Sequence, residues 1–216
     1  MTPSPDSIDC SFCQKFGDFM KPAQSPTRWY DEALSETTHF KALAAIGAFS
    51  PGYMMIVTKG HLASMASIPD SWCDEFLEFR AGIAEVLHGL YGPVSIFEHA
   101  NQQVAISSGS CIDHAHIHLC PTVPGLADRF ASAFAVITAD NFLAAREKLK
   151  DRSYVYLEEL GDAPRVAILT NPIPSQTIRR LIAAERGIPD EWDWAVSPNL
   201  HHVAATIAGV RAVLKS

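Results

Sequence analysis

Three histidines stand at alternate positions in one short run of this sequence, CIDHAHIHLCP at 111–121. The chain has nine histidines in 216 residues, and at that frequency chance yields such a triplet only about 0.015 times. Successive side chains of a β-strand point to opposite faces, so a strand would place His114, His116 and His118 on one side, about 6.6 to 7 Å apart. Such a row of imidazoles can exchange protons, bind a metal or attack phosphorus. The alternative is a half-exposed strand that carries no chemistry.

The segments before the histidines predict an α+β domain with helices on one face of an antiparallel sheet. Two β-like runs flank a turn at Ser50–Gly52 and predict a hairpin. A helix with a capping start at Ser71 and Asp74 and an end at Gly89 and Gly92 should follow, and then a strand. The predicted ranges are 38–47 and 53–59 for the hairpin, 71–90 for the helix and 93–100 for the strand.

The rest of the chain predicts an α/β extension. We expect residues 1–135 to form the first domain, with a cysteine knuckle at its N-terminus, and residues 136–216 to pack on it. Apolar residues recur at helical spacing in three segments, and Gly187 with Pro189 stops the second of these helices. The predicted ranges are helices at 140–150, 175–189 and 200–214, and strands at 153–159 and 165–170.

Composition narrows the classes of function. The net charge is −7, which argues against binding of a nucleic-acid polymer. The N-terminus lacks a basic segment followed by an apolar run, and no long apolar stretch appears, so we predict a cytoplasmic protein without a membrane contact. Five cysteines, an odd number, favour reduced thiols over a disulfide framework.

The sequence HAHIHLCP resembles the pattern of the histidine-triad (HIT) family: His, apolar, His, apolar, His, apolar, apolar. The preceding FEH at 97–99 resembles the FEN of galactose-1-phosphate uridylyltransferases, which are distant relatives. The resemblance covers roughly residues 10–121. It implies a HIT-like antiparallel sheet, action on the α-phosphate of a nucleotide substrate, and a homodimer formed by edge strands. By the same resemblance, His116 would carry the nucleotidyl group as a covalent intermediate.

Imidazole chemistry agrees with this assignment of roles. A neutral imidazole nitrogen attacks phosphorus without activation if its other nitrogen donates to a fixed acceptor, and we expect a backbone carbonyl of the neighbouring strand to be that acceptor for His116. His118, on the same face, can protonate the leaving group and then assist water. The transferase relatives commonly have Gln at this third position, so the resemblance implies that His118 favours hydrolysis over transfer.

Further residues are candidates for binding the substrate. Family members usually have a Gly-Gln-Ser-like segment before the triad, and here it is SSGSCID, without the Gln. In the extension, a helix start with two arginines can meet a phosphate, or can be a solvated surface. Trp192 and Trp194 can stack on a base, although packing is the more usual role. The candidates for substrate binding are Glu98, His99, Ser108, Gly109, Ser110, Gln176 and Arg179.

The pair CSFC, Cys10 and Cys13, supplies half of a tetrahedral zinc site. Several triad proteins with such a pair complete the site with a histidine at the place of His61 and with the first triad histidine, here His114. The resemblance therefore implies a structural Zn²⁺ bound by two cysteines and two histidines. The alternative is that both cysteines are buried thiols.

Three functions remain open from the sequence. The first is a zinc-containing hydrolase that cleaves a nucleoside phosphate ester, an anhydride of the dinucleoside polyphosphate type, or a phosphoramidate. The second is a nucleotidyltransferase or phosphorylase that passes the same intermediate to phosphate or a sugar phosphate. The third is a nucleotide-binding module without catalysis, which the altered segment before the triad would explain.

Overall fold

A computed structural model of the protein describes residues 10–17, 28–101 and 114–215. Its centre is one eight-stranded antiparallel sheet, which confirms the predicted α+β class. The strands are β1 (Ser35–Glu36), β2 (Phe40–Ala44), β3 (Met54–Thr58), β4 (Val94–Ala100), β5 (His116–Pro121), β6 (Ile137–Thr138), β7 (Tyr154–Glu159) and β8 (Arg165–Ile168). Their order across the sheet is β1-β2-β3-β5-β4-β7-β8-β6.

Helices cover both faces of this sheet, whereas the sequence predicted helices on one face only. They are α1 (Ser11–Phe16), α2 (Cys73–Tyr91), α3 (Leu126–Ala133), α4 (Phe142–Leu149), α5 (Thr177–Glu185) and α6 (Leu200–Leu214). The long helix α2 and helix α4 pack on one face, where Phe76, Leu87 and Phe142 join the core. Helices α3 and α5 pack on the other face through Phe130 and Ile182, together with part of α6. The prediction of one covered face is wrong because α1 and α3 pack with the extension on the face opposite α2.

The histidine run lies in the middle of the sheet, because β5 pairs with β3 on one side and with β4 on the other. The alternation of a strand divides its side chains between the two faces. Ile117 and Leu119 are fully buried in the core under α2. His116 and His118 point to the opposite face, so the apolar residues between the histidines anchor the strand and leave the imidazoles available.

Most predicted elements are confirmed, but the start of α2 is not where the sequence indicated. The hairpin of β2 and β3 forms, and Gly52 in its turn has a positive φ of 90°. A 3₁₀ turn occupies Asp70–Trp72, and α2 begins after it with Trp72 as the N-cap and no side-chain capping bond. The predicted cap at Ser71 is therefore wrong, because the turn that follows Pro69 moves the helix start. Gly92, with φ 86°, ends the helix.

The extension continues the sheet of the first domain. Strand β7 pairs with β4 along six residues, and β8 and β6 follow. The described sheet therefore ends in two-residue strands on both sides, β1 and β6. The homodimer stays a prediction, and a sheet that continues into a second copy would have to use one of these short edges.

Two further expectations concern the whole chain. None of the four cysteines in the described part forms a disulfide. Among the described helices, none has the length and hydropathy needed to cross a membrane.

Candidate active site

The ring of His116 is fixed by the backbone of its own segment. Its Nδ1 lies 2.6 Å from the carbonyl oxygen of His114, so Nδ1–H donates and Nε2 keeps its lone pair. A carbonyl acceptor was expected, but it belongs to the residue two positions earlier and not to the neighbouring strand. The backbone at His114 just precedes β5 and turns its carbonyl back toward the ring. His116 therefore has the tautomer that a nucleophile needs.

The surroundings keep His116 neutral. Burial lowers the pKa of this imidazole to about 4, and the hydrogen bond to the His114 carbonyl offsets only part of that effect. Phe12 presents an edge to the ring, with 5.7 Å between the centroids. At neutral pH the Nε2 lone pair is therefore free for attack on phosphorus.

His118 lies next to His116 on the same face, with 5.0 Å between the ring centroids. Its ring stacks on Phe97, at 4.8 Å and 20°, and contacts Tyr53 at 5.5 Å. Burial, His116 and Arg179 all lower the pKa of His118 well below its ordinary value. Its Nδ1 has no hydrogen-bond partner among the described residues. A bound anion would supply the charge that stabilises the protonated form of either imidazole.

The two imidazoles line a cavity on this face of the sheet. Its walls come from three parts of the chain: the N-terminal helix α1, the strands β2 to β4, and the extension. Most of the wall is apolar, and its polar groups include the histidines, residues of the extension, and Lys15 and Asp31 near α1. The residues that represent the three parts are Phe12 and Phe16, then Leu43, Met55 and Phe97, then Gln176, Arg179 and Trp194.

Arg179 is a buried cation in this wall, with only 4% of its surface exposed. Its Nη1 donates to the Tyr53 hydroxyl at 3.1 Å, Nη2 to the Gly47 carbonyl at 2.8 Å, and Nε to the Trp192 carbonyl at 2.9 Å. The guanidinium carbon lies 4.5 Å from the centroid of the Phe49 ring. Within the described part of the chain no carboxylate forms an ion pair with it. This positive charge is therefore available to an anion.

Gln176 holds the arginine in place. Its backbone has φ 57°, the left-handed conformation, at the start of α5. The side-chain oxygen accepts from Arg179 Nε at 3.2 Å and from the Trp194 backbone N–H at 3.3 Å, and the amide nitrogen donates to Asp193 at 3.2 Å. The two ends of the amide are thus used within the protein, which makes Gln176 a residue that positions Arg179.

The four predicted zinc ligands lie together. The candidate ligand atoms of Cys10, Cys13, His61 and His114 are all within 4.8 Å of one another. His114 Nδ1 lies 3.4 Å from the Cys10 sulfur and 3.6 Å from the Cys13 sulfur, and His61 Nδ1 lies 3.4 Å from the Cys13 sulfur. Two sulfurs and two imidazole nitrogens at this spacing match a closed tetrahedral metal site.

The chemistry of the donors also fits a metal cation. Burial raises the pKa of the Cys10 thiol, but its contacts with His114, His61 and the Cys13 backbone outweigh burial and bring the pKa to about 5. The thiolate form that binds metals is therefore favoured. His114 Nε2 lies 2.8 Å from the Thr58 carbonyl, so Nε2–H donates there and Nδ1 is the nitrogen that faces the sulfurs.

Many of the solved structures that are similar to this chain are HIT family or histidine triad proteins. A hypothetical histidine triad nucleotide-binding protein from Sulfolobus tokodaii is 17% identical, with a TM-score of 0.36, over 42% of this chain and 59% of that one. A Hit-like protein involved in cell-cycle regulation from Bartonella henselae is 13% identical, with a TM-score of 0.42, over 54% and 82%. A HIT family hydrolase from Clostridium thermocellum is 20% identical, with a TM-score of 0.37, over 54% and 92%.

Sequence comparisons add no further relative. No family model matches the chain, and no curated protein matches it. The chain spans 59% of the length of the Sulfolobus tokodaii protein, and the three alignments cover between 42% and 54% of this chain.

The alternation of β4 places two of the predicted substrate-binding residues, Glu98 and His99, on opposite faces of the sheet. Phe97 pairs with His118 across the strands, and His99, on the same face as Phe97, lines the cavity. Glu98 points to the opposite face, where it accepts hydrogen bonds from the Met65 N–H at 2.8 Å and from the Tyr154 hydroxyl at 2.5 Å. The structure therefore does not bring Glu98 to the histidines. Ser108, Gly109 and Ser110 lie outside the described residues.

The sequence did not draw attention to Asp31 and Lys15, which also line the cavity. The Lys15 ammonium lies 3.2 Å from a carboxylate oxygen of Asp31, and the Arg28 N–H donates to the other oxygen at 3.2 Å. Neither residue belongs to a motif, and they are sixteen positions apart. Only the folding of α1 back over the sheet brings them together, so no local signal could have identified them.

Proposed function

We propose that this protein is a histidine-triad hydrolase that cleaves a nucleoside phosphate ester, anhydride or phosphoramidate through a nucleotidyl-His116 intermediate. The observation that carries the proposal is the hydrogen bond from His116 Nδ1 to the His114 carbonyl, beside His118 in a cavity of the sheet face. It leaves a neutral Nε2 as the nucleophile. Few structural roles would need a half-buried, unprotonated imidazole held in this tautomer.

The reaction has two balanced steps. In the first, His116 Nε2 forms a bond to the α-phosphorus, the bond from phosphorus to the leaving group breaks, and the leaving group takes a proton from His118. In the second, a water oxygen bonds to phosphorus, the N–P bond breaks, and His118 takes the proton of the water. The substrate anion between the rings raises the low pKa of His118 and thereby supplies a proton donor for the first step.

Arg179 is the residue that we assign to the charge of the phosphate. It lines the cavity, is buried and carries a positive charge that no described carboxylate neutralises. A guanidinium in such surroundings gains more from an anion than it would in water. Gln176 contributes by fixing the guanidinium, and His99 contributes a neutral imidazole at the other side of the triad.

The metal that fits the cluster of Cys10, Cys13, His61 and His114 is Zn²⁺ in a structural role. All four positions of a tetrahedral site would be protein ligands, so zinc would supply no open position for substrate and would act as a crosslink between α1 and the start of β5. The backbone of His114 also orients His116. Zinc bound there would therefore fix the carbonyl that selects the tautomer of the nucleophile.

The proposed activity is tested by turnover of a panel of nucleotide substrates with three proteins: the wild type, His116→Asn and His88→Asn. His88 is exposed on α2 and provides the same substitution away from the cavity. We expect His116→Asn to lose turnover by at least about 10³-fold, as removal of a nucleophile does, and His88→Asn to retain it. Full turnover by His116→Asn would refute the proposal.

Product analysis separates hydrolysis from the second function. A nucleotidyltransferase or phosphorylase would show a new nucleotide product when phosphate or a sugar phosphate is added, and a hydrolase would form the same nucleoside monophosphate with or without either acceptor. His118 favours the hydrolase. A homodimer and a cytoplasmic location stay predictions, which gel filtration with light scattering and cell fractionation would test.

A further inference from the structure

An ion pair lies in the wall of the catalytic cavity. It joins Lys15 of α1 to Asp31, and both side chains line the cavity. Asp31 is buried, with one carboxylate oxygen 3.2 Å from the Lys15 ammonium and the other accepting from the Arg28 N–H at 3.2 Å. An ion pair taken out of water contributes little net stability, because the loss of hydration opposes the attraction of the charges. This pair is therefore a candidate for a role in binding.

The path of α1 across the sheet separates the ion pair from the histidines. At one end of α1, the Phe12 ring lies 5.7 Å from the His116 ring, and at the other end the Phe16 ring lies 5.6 Å from the ammonium of Lys41. Lys41 of β2 and His116 of β5 pair with the same residue of β3. Two strand spacings amount to about 10 Å. Lys15, next to Phe16, thus lies about the length of a nucleoside away from the nucleophile.

Apolar side chains line the space between these two ends. Phe12 and Phe16 of α1 lie above it, and Leu43 of β2 and Met55 of β3 come from the sheet below. The cavity has a volume of about 180 Å³, whereas one water molecule needs only about 10–15 Å³. Aromatic side chains stack on the faces of nucleobases. The space therefore suits a flat base whose phosphate lies at the histidines.

The ion pair presents a donor beside two acceptors to the edge of such a base. Lys15 has two N–H groups besides the one directed at Asp31, and each carboxylate oxygen has a second lone pair. Guanine has the complementary edge: O6 is an acceptor, and N1–H and the 2-amino group are adjacent donors. Adenine has a C–H group where guanine has the 2-amino group. Guanine can therefore form one more charge-assisted hydrogen bond with this pair than adenine can.

From these observations we infer that Asp31 and Lys15 select the base of the substrate, and that this base is guanine. Guanine O6 accepts from the Lys15 ammonium, while N1–H and the 2-amino group donate to the two carboxylate oxygens of Asp31. The inference rests on the proposed function and narrows its substrates to derivatives of guanosine 5′-phosphate. It leaves the roles of His116 and His118 unchanged.

Calorimetric titration of the full chain tests the inference without turnover. The ligands are the 5′-monophosphates of guanosine, adenosine and xanthosine. The proteins are the wild type, Asp31→Asn and the control Asp74→Asn, which changes an exposed carboxylate on α2. We expect the wild type and the control to bind guanosine monophosphate at least about tenfold more tightly than adenosine monophosphate, the effect of one hydrogen bond to a charged group.

The variant Asp31→Asn should change which base is preferred. Its carboxamide has the shape of the carboxylate and keeps one oxygen acceptor, but its amino group faces the 2-amino group of guanine. Xanthine has a carbonyl oxygen at that position, which accepts from the carboxamide. We therefore expect Asp31→Asn to bind guanosine monophosphate at least about tenfold more weakly than the wild type does, and xanthosine monophosphate more tightly. Disruption of the cavity wall would not produce such a gain.

Two results would overturn the inference and leave the proposed function standing. One is equal affinity of the wild type for the guanosine and adenosine nucleotides. The other is an equal loss of affinity for all three nucleotides in Asp31→Asn, which would place the carboxylate at the sugar or in the wall alone. If the wild type binds none of the three, the inference also falls, whereas the proposed function is decided separately by the turnover of His116→Asn.

Discussion

The contact between Gly47 and the extension gives a prediction that can be worked out in numbers. Gly47 has a positive φ of 73°, its N–H donates to the Pro198 carbonyl at 2.8 Å, and its carbonyl accepts from Arg179 Nη2 at 2.8 Å. A Cβ added here would lie 2.5 Å from the Cβ of Trp194 and 2.7 Å from Arg179 Nη2. Gly47→Ala should therefore push the extension away from the cavity.

Two costs add up in this variant. An alanine in the left-handed region costs about 1–2 kcal/mol. The Cβ contact at 2.5 Å is shorter than ordinary van der Waals contact, and relief requires movement that breaks the hydrogen bond from Arg179, worth about 1.5–3 kcal/mol for a charged donor. We therefore expect Gly47→Ala to lower the free energy of unfolding by about 2.5–5 kcal/mol.

Gly187→Ala is the matched control. Gly187 also has a positive φ, 72°, but nothing lies within 4 Å of an added Cβ. Gly187→Ala should therefore lower the free energy of unfolding only by the backbone cost of about 1–2 kcal/mol. Urea unfolding with linear extrapolation gives both values, and kcat/KM should fall in Gly47→Ala alone, because Arg179 is displaced. If the losses of unfolding free energy in the two variants agree within about 0.5 kcal/mol, which is near the error of such extrapolations, then Gly47 does not hold the extension against the site.

Two further predictions concern the metal and pH. Cys13→Ser should lose bound zinc and melt at a lower temperature than the wild type. The control Cys73→Ala, on the opposite face of the sheet, should keep one zinc per chain. Equal metal content in the two variants would contradict the assigned ligands. Burial raises the pKa of Glu98 from 4.5 to about 7, although hydrogen bonds from Met65 and Tyr154 oppose it. Between these values the folded state keeps a proton that the unfolded state releases, so the free energy of unfolding falls as pH rises and levels off above about 7. Glu98→Gln removes this slope. Its free energy of unfolding relative to the wild type, measured by urea titration, should rise by up to about 3 kcal/mol from pH 4.5 to 8. If the free energies of unfolding of the two proteins depend on pH in parallel, Glu98 is not the titrating group.

The strands and helices near the histidines were predictable because their signals are local. The alternation of HAHIHL encodes which side chains enter the core, and the structure buries Ile117 and Leu119 accordingly. The cluster of Cys10, Cys13, His61 and His114 could be predicted because a Cys-x-x-Cys pair is a distinct local signal and because the resemblance to the histidine-triad family implied the two histidines. Glu98 shows where such reasoning fails: it stands between Phe97 and His99, and strand alternation alone would have assigned it to the face opposite its two neighbours.

The contribution of the extension depends on packing that the sequence does not encode locally. Arg179 and Tyr53 are 126 positions apart, and their contact arises only because α5 lies over the face that carries the histidines. Equally, the pairing of β7 with β4 could not be deduced from two short apolar runs. Arg179 was a candidate because of its place at a helix start, but its burial and its lack of a described carboxylate partner come from the tertiary structure.

Trapping of the covalent intermediate tests the central claim most directly. The protein is mixed with a nucleotide substrate and quenched with base within milliseconds, because phosphorus–nitrogen bonds to histidine are labile in acid. It is then digested and mapped by mass spectrometry. The account predicts one nucleoside monophosphoryl group on the peptide that contains the triad, located on His116, present in the wild type and in His88→Asn and absent in His116→Asn. Turnover of the same substrate with no trapped adduct, or with the adduct on His118 or His99, would contradict it.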